Sequence, residues 1–256
     1  MDTTVVIKHI VDWLSHYSES SFTTGFVVGV SGGIDSAVTS TLCALTGKNV
    51  IVVNMPILQP PSQYQRSNEH IEWLKRSFKN VTSFNVDLTK SFEQISTDLT
   101  NDIQDHLTMA NVRARLRMTT LYAYAGHYGY LVAGTGNKVE DFGVGFFTKY
   151  GDGGVDISPI ADLMKTEVFS LAKELDIIQS IQSAKPTDGL WDDDRSDEDQ
   201  IGASYPELEW AMEFKGDESS ISVRDAEVLG IFRKLNKANQ HKMNPIPVCK
   251  IPEDLI

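Results

Sequence analysis

Cysteine is scarce: two residues, Cys43 and Cys249, in a chain of 256. Neither has a CxxC or histidine-rich setting, which argues against a thiolate zinc site, and Cys43 lies in the apolar run Leu42-Cys43-Ala44-Leu45. It reads as a buried thiol in a reducing cytosol rather than half of a disulfide. Long apolar runs are also missing. None approaches the roughly 20 residues that span a bilayer, and the opening Met1-Asp2-Thr3 lacks the basic-then-apolar pattern of a secretion signal. A cytoplasmic protein with no membrane partner is therefore expected. Basic residues are outnumbered, 23 Lys and Arg against 35 Asp and Glu, giving a formal net charge of −12. That balance weakens the case for a nucleic-acid partner, since phosphate backbones favour basic faces. There is no internal repeat and no low-complexity linker, so one domain over residues 1–256 is expected, long enough for a substantial core.

What is present is an alternation. Strand-like runs at Gly25–Val30, Asn49–Asn54, Asn80–Val86 and Gly129–Ala133 are separated by helical segments at 34–46, 62–78 and about 90–127, after a helix-compatible stretch from Val5 to Tyr17. The pattern predicts an α/β fold with a parallel, doubly wound sheet and sites at the C-terminal strand ends. After Asp156 it changes to helices, 165–174 and 224–240, with polar loops and no convincing strand.

The most informative segment is Gly29-Val30-Ser31-Gly32-Gly33-Ile34-Asp35-Ser36, between the first strand and a buried helix. Strand, glycine-rich turn and helix N-terminus together cradle phosphate: the glycines let backbone approach the anion, and the unpaired N–H groups and helix dipole point at it. Ser31 and Ser36 add hydroxyls. Asp35 would repel a phosphate unless it holds a Mg²⁺ that bridges to the phosphate oxygens. There is no Gly-Lys-Ser/Thr, so this is not the Walker loop, and the glycine spacing is not that of a dinucleotide fold.

Four further segments carry chemistry. Gly134-Thr135-Gly136-Asn137-Lys138-Val139-Glu140-Asp141 follows the last strand and places Glu140 to share a cation with Asp35. Taken alone, it would be a solvated turn. In Asn111-Val112-Arg113-Ala114-Arg115-Leu116-Arg117, three arginines in an acidic chain invite a phosphate or carboxylate, with surface salt bridging as the plainer reading. Phe146-Phe147-Thr148-Lys149-Tyr150-Gly151-Asp152-Gly153-Gly154-Val155-Asp156 sets two aromatics before a glycine-rich turn with carboxylates, suited to stacking a flat ring and holding ribose or amide groups. Lys185-Pro186-Thr187-Asp188-Gly189-Leu190-Trp191 leads into an acidic run and reads as a mobile surface loop.

In this order, together with Lys165, the run from Asp197 to Gly202 and the terminal His241-Lys242, these motifs resemble the ammonia-dependent NAD synthetases, members of the ATP pyrophosphatase superfamily with an adenine nucleotide alpha hydrolase-like fold. SGGIDS alone would suit GMP, asparagine or argininosuccinate synthetases or tRNA-thiolating enzymes; the FFTKYGDGG run narrows it. The chain departs from the pattern in three places. Asn137-Lys138-Val139-Glu140 stands where many members have His-Ala-Ala-Glu, the stretch Asp141–Gly145 is one residue longer, and Thr187-Asp188-Gly189-Leu190 replaces Thr-Ala-Asp-Leu.

The resemblance implies that ATP activates the carboxylate of deamido-NAD as an acyl-adenylate, which ammonia converts to NAD and AMP. It assigns Gly29, Ser31, Gly32, Gly33, Ser36 and Thr135 to ATP, and Asp35 and Glu140 to Mg²⁺. Lys165 and Thr187 join Asp35 at the reacting phosphates. To deamido-NAD it assigns Arg115, Arg117, Phe146 or Phe147, Lys149, Asp152, Asp156, His241 and Lys242, with Asp152 and Asp156 binding ribose and shaping the ammonia site. It further implies a homodimer with the dinucleotide near the interface. Thr187–Gln200 is expected to order over bound ATP, Trp191 becoming enclosed as it does so. Two other readings stay open: a related adenylating amidotransferase domain, and a non-catalytic adenine-nucleotide sensor, against which the retained Asp35, Glu140 and Lys165 argue.

Overall fold

Four β-branched-rich strands form the centre of the protein, β1 (Gly25–Gly29), β2 (Asn49–Asn54), β3 (Val81–Asn85) and β4 (Leu131–Val132). The computed structural model describes residues 1–186 and 196–255. The strands are all parallel, in the order β3-β2-β1-β4. Register pairs Phe26 with Val50 and Leu131, and Val50 with Val81. Both faces are covered, so β1 and β2 read as continuous apolar runs, whereas the edge strand β3 is mixed. Alternation then deals side chains to two cores. Phe26, Val28, Val50 and Val52 meet α1 (Thr3–Ser20), α2 (Ile34–Leu45), α3 (Pro61–Ser77) and α6 (Lys165–Glu174). Val27, Ile51 and Val53 meet α4 (Thr89–Asp98) and α5 (His106–Tyr128). A third core joins α8 (Asp197–Ile201), α9 (Tyr205–Glu213) and α10 (Val223–Met243) to a turn at Val139–Val144.

The expected doubly wound sheet is present, and its chain reversal falls between β1 and β4. Successive connections run outward from β1 to β3, then return to the far side of β1. That is where loops diverge and leave a crevice.

Some expectations shift in detail. The helical stretch predicted from about 90 to 127 is two helices, α4 and α5. The break falls where Asp105 accepts from the Thr108 N–H and opens α5 as its N-cap. The short helices α7 (Gln179–Gln182), α8 and α9 had no periodic signal. Ser196 to Gln200, expected within a loop, is the capped start of α8: Ser196 Oγ accepts from Asp199 N–H and the Asp199 carboxylate accepts from Ser196 N–H. Thr187, Asp188 and Trp191 lie outside the described residues, as does most of the segment expected to close over ATP.

One buried group makes stability pH-sensitive. His70 of α3 is fully enclosed, its Nε2 3.0 Å from Ser40 Oγ and its ring stacked on Trp73, and its Nδ1 has no hydrogen-bond partner among the described residues. Burial pushes its pKa down from 6.5 to about 4. The folded protein keeps this imidazole neutral where the unfolded chain protonates it, so stability falls as pH drops from 6.5 towards 4, by roughly 3 kcal/mol over the full window. Urea unfolding at pH 5 and pH 7.5 checks this. The difference between the two pH values should shrink in His70→Leu, and an unchanged difference would refute the assignment.

Candidate active site

The first wall of the crevice is the loop from Gly29 to Ser36. Gly32 has φ +82°, and a Cβ there would lie 2.8 Å from Gln63 O and 3.0 Å from Ser67 N, so only glycine fits under α3. Ser36 Oγ accepts from the Ser31 N–H and donates to Gly33 O, and Ser31 Oγ accepts from the Gly33 N–H. The hydroxyls thus brace the loop at the start of α2.

The second wall follows β4. Asn137 is fully buried; its Oδ1 accepts from the Val139 and Glu140 N–H groups, and its Nδ2 donates to Asp35 Oδ1 at 3.1 Å. One amide therefore caps the turn carrying Glu140 and links it to the first wall. The turn, Val139–Val144, is π-helical, its backbone closing with Phe146 N–H on Glu140 O. A wide turn of this kind accommodates one residue more than an α-helical turn. It ends at Gly145 (φ +66°), where a Cβ would collide with Asn239 of α10.

Lys165 enters from the third side, at the first position of α6. Its Nζ lies 2.6 Å from Asp35 Oδ2 and 2.9 Å from Glu140 Oε1, and its side chain is 3% exposed. Residues 130 and 25 positions apart in sequence converge on one ammonium. Tyr205 completes the cluster: its hydroxyl donates to Glu140 Oε1 at 2.5 Å and its ring faces the Lys165 ammonium at 4.8 Å. Burial would raise the Glu140 pKa, but Lys165 and the hydrogen bonds from Tyr205, Lys165 and Asn137 hold it below its usual value. Asp35 is shifted the other way, because burial and the Glu140 charge outweigh Lys165.

These walls enclose a cleft of about 710 Å³. Gly29, Ser31, Gly32, Gly33, Asp35 and Ser36 line it, as do Thr135, Glu140 and Lys165. The far end is built by the aromatic-glycine loop. Phe147 packs on Gly153 and under the Lys242 ammonium, 5.0 Å from its ring centre, whereas Phe146 also packs into the third core. The Asp152 carboxylate accepts from the Thr148 N–H, and burial raises its pKa. Asp141 shares this acidic end, pushed up to about 8 by burial and by Glu140, Asp152 and Asp35.

The basic residues expected to touch the dinucleotide are also here, but engaged with backbone. Lys242 donates to Gly145 O and Phe147 O, Lys149 to His241 O, Arg115 to Lys149 O, and Arg117 Nε to Met55 O. Lys242, Lys149 and Arg115 thereby hold the loop, and Arg117 the end of β2, while all four line the cleft. Asp156 is the exception. It does not line the cleft; its two oxygens accept from Val132 N–H at 2.8 Å and Tyr122 OH at 2.9 Å, bracing the outer edge of β4. Asp156→Ala is therefore expected to lower stability by about 1–3 kcal/mol, by stranding a strand N–H. Denaturant midpoints check this, and an unchanged midpoint with a weakened nicotinate substrate would restore the ribose role. Tyr205, Asn137 as a bridge, and Arg66 of α3 in the cleft wall had no local sequence signal.

The two acids and the loop geometry fit a divalent cation only in part. Among the described residues no group of three or more His, Cys, Asp or Glu side chains is placed to hold a metal. Two carboxylates plus substrate phosphate oxygens is, however, how Mg²⁺ is commonly held.

A family model described as NAD synthase matches residues 6–245. The chain belongs to the NAD synthase family. Among curated NAD synthase relatives, the NH(3)-dependent NAD(+) synthetase of Mycoplasma genitalium is 37% identical over 93% of this chain and 92% of that protein. That of Carboxydothermus hydrogenoformans is 34% identical, over 92% and 93%. Among solved structures, the NMN synthetase from Francisella tularensis superposes with a TM-score of 0.87 at 31% identity, covering 99% of both chains. The NH3-dependent NAD synthetase from Campylobacter jejuni, at 24% identity and a TM-score of 0.79, shares the fold.

Proposed function

We propose that the protein amidates deamido-NAD with ammonia, driven by ATP, giving NAD, AMP and pyrophosphate. The observation that carries this reading is the convergence of Asp35, Glu140 and Lys165 beside the glycine loop at the switch point, in a chain of this family. A carboxylate is a poor acyl donor because its leaving group would be oxide. Attack of its oxygen on the ATP α-phosphorus forms a P–O bond as the bond to pyrophosphate breaks. Ammonia nitrogen then adds to the carbonyl, AMP departs, and a proton is lost. The chain's part is alignment and neutralisation of phosphate charge. Ser31, Gly32, Gly33 and Ser36 would receive the departing pyrophosphate, with Lys165 and Thr135 at the phosphates and Thr187 over them. Asp35 and Glu140 would hold Mg²⁺, which supplies charge neutralisation there. Phe147 offers a face for the nicotinate ring, Asp141 and Asp152 an acidic end for ammonia, and Arg115, Arg117, Lys149, His241 and Lys242 a basic border for the nucleotide.

Ammonia rather than glutamine is the nitrogen source, because a glutaminase needs an activated nucleophile, most simply a thiolate. Burial raises the Cys43 thiol, and Cys249 is exposed in the C-terminal tail. Both are free, which supports a reducing cytoplasm. The homodimer implied by the family resemblance is tested by sedimentation.

Likeness to the Francisella tularensis protein favours a second reading, in which the acceptor is the mononucleotide. Pyrophosphate release is to be measured with ATP, Mg²⁺, ammonium and, in turn, deamido-NAD, nicotinate mononucleotide and xanthosine monophosphate. Release with deamido-NAD supports the main reading. Release confined to the mononucleotide supports the second, and release with neither overturns both. Glutamine in place of ammonium should give no product.

A further inference from the structure

Arg66 stands on α3 where that helix crosses the glycine loop. Its Cβ lies 3.3 Å from the position a Cβ would take on Gly32, so the stem of the side chain sits against the middle of the phosphate cradle. The residue lines the same cleft as Gly33, Asp35 and Ser36. Its Nε is buried and has no hydrogen-bond partner among the described residues. No carboxylate among the described residues pairs with it, although acids outnumber bases in this chain. The acid one turn along, Glu69, is engaged by Gln65 Nε2 and Ser180 Oγ instead.

An enclosed guanidinium donor without an acceptor has a desolvation cost that an anion in the cleft would offset. Its planar fork suits paired phosphate oxygens. Most other cleft cations are committed, Lys165 to two carboxylates and Lys242, Lys149, Arg115 and Arg117 to backbone carbonyls, while Lys185 stands at the edge of the described residues, away from Gly32 in sequence. We propose that Arg66 is a pyrophosphate-binding residue that closes the glycine cradle from the α3 side. It would hold the β- and γ-phosphoryl oxygens of ATP and then the released pyrophosphate. The proposal rests on the adenylating function above.

The test is calorimetric titration of the full chain with inorganic pyrophosphate in Mg²⁺, beside initial-rate kinetics. Arg66→Gln should weaken pyrophosphate binding and raise the ATP KM by about 10–100-fold, leaving the KM for the nicotinate substrate within about twofold. Arg66→Lys, which keeps the stem and a point charge, should recover part of the loss. Wild-type protein that binds no pyrophosphate would count against the adenylating function itself. Wild-type binding matched by Arg66→Gln would overturn the role of Arg66 alone. Equal losses for pyrophosphate and nicotinate substrate, with a lowered melting temperature, would make the residue structural and overturn the proposal as well.

Discussion

Lys165→Met is expected to abolish turnover and to lower the unfolding free energy by about 3–5 kcal/mol. The reason is a charge count. Lys165, Asp35 and Glu140 share one enclosed space, with side chains 3%, 17% and 16% exposed. Removing the ammonium leaves two carboxylates facing each other with no cation, and neither the Asn137 amide nor the Tyr205 hydroxyl carries compensating charge. For a chain of this size the loss corresponds to a fall in melting temperature of roughly 10 °C. Turnover should fall at least 10²–10³-fold, the usual consequence of losing a group aimed at developing negative charge. Thermal melts and pyrophosphate release measured on one preparation separate the two effects. A Lys165→Met protein as stable as wild type would show that the three side chains do not share a site.

Asp35→Asn should behave differently, and the contrast is the sharper test. Here one cation faces one carboxylate, so the enclosed charges balance. Asp35 is already the acid that burial drives towards its neutral form. Stability is expected to stay within about 1 kcal/mol of wild type, while pyrophosphate release falls about 10³-fold through loss of a proposed Mg²⁺ oxygen. Near-native turnover in Mg²⁺ would remove Asp35 from the chemistry. Glu140→Gln should resemble it in activity, with an added loss of stability from the disturbed Tyr205 contact.

Much of this was legible because the informative residues sit next to local patterns. β1, β2 and β4 are apolar runs bounded by turn residues, and the sequences after β1 and β4 carry the glycines that a phosphate loop demands. Lys165 was found through the family motif, and the fold explains its place, at the first position of a helix aimed into the crevice. Contacts made across long separations were not legible. Tyr205 reaches Glu140 over 65 residues, from a helix too short to show a period. Arg66 carries no local signal, and only the crossing of α3 over Gly32 brings it to the cleft. Asp156 shows the same limit: a carboxylate after a glycine-rich, aromatic segment suits a ribose, and only the register of β4 shows that it also satisfies a strand N–H.

If Asp35 and Glu140 hold the ion as proposed, the ammonium between them also sets an order of events. While Lys165 occupies that position, a bare divalent ion gains two carboxylates only by evicting a buried charge that then has nowhere to go. A nucleotide arriving with its ion brings phosphoryl oxygens to which Lys165 can transfer, so the lysine exchanges partners instead of losing them. On that reading loading would be an exchange rather than an addition: the resting protein should ignore millimolar free Mg²⁺, and saturation should follow the concentration of the metal–ATP complex alone.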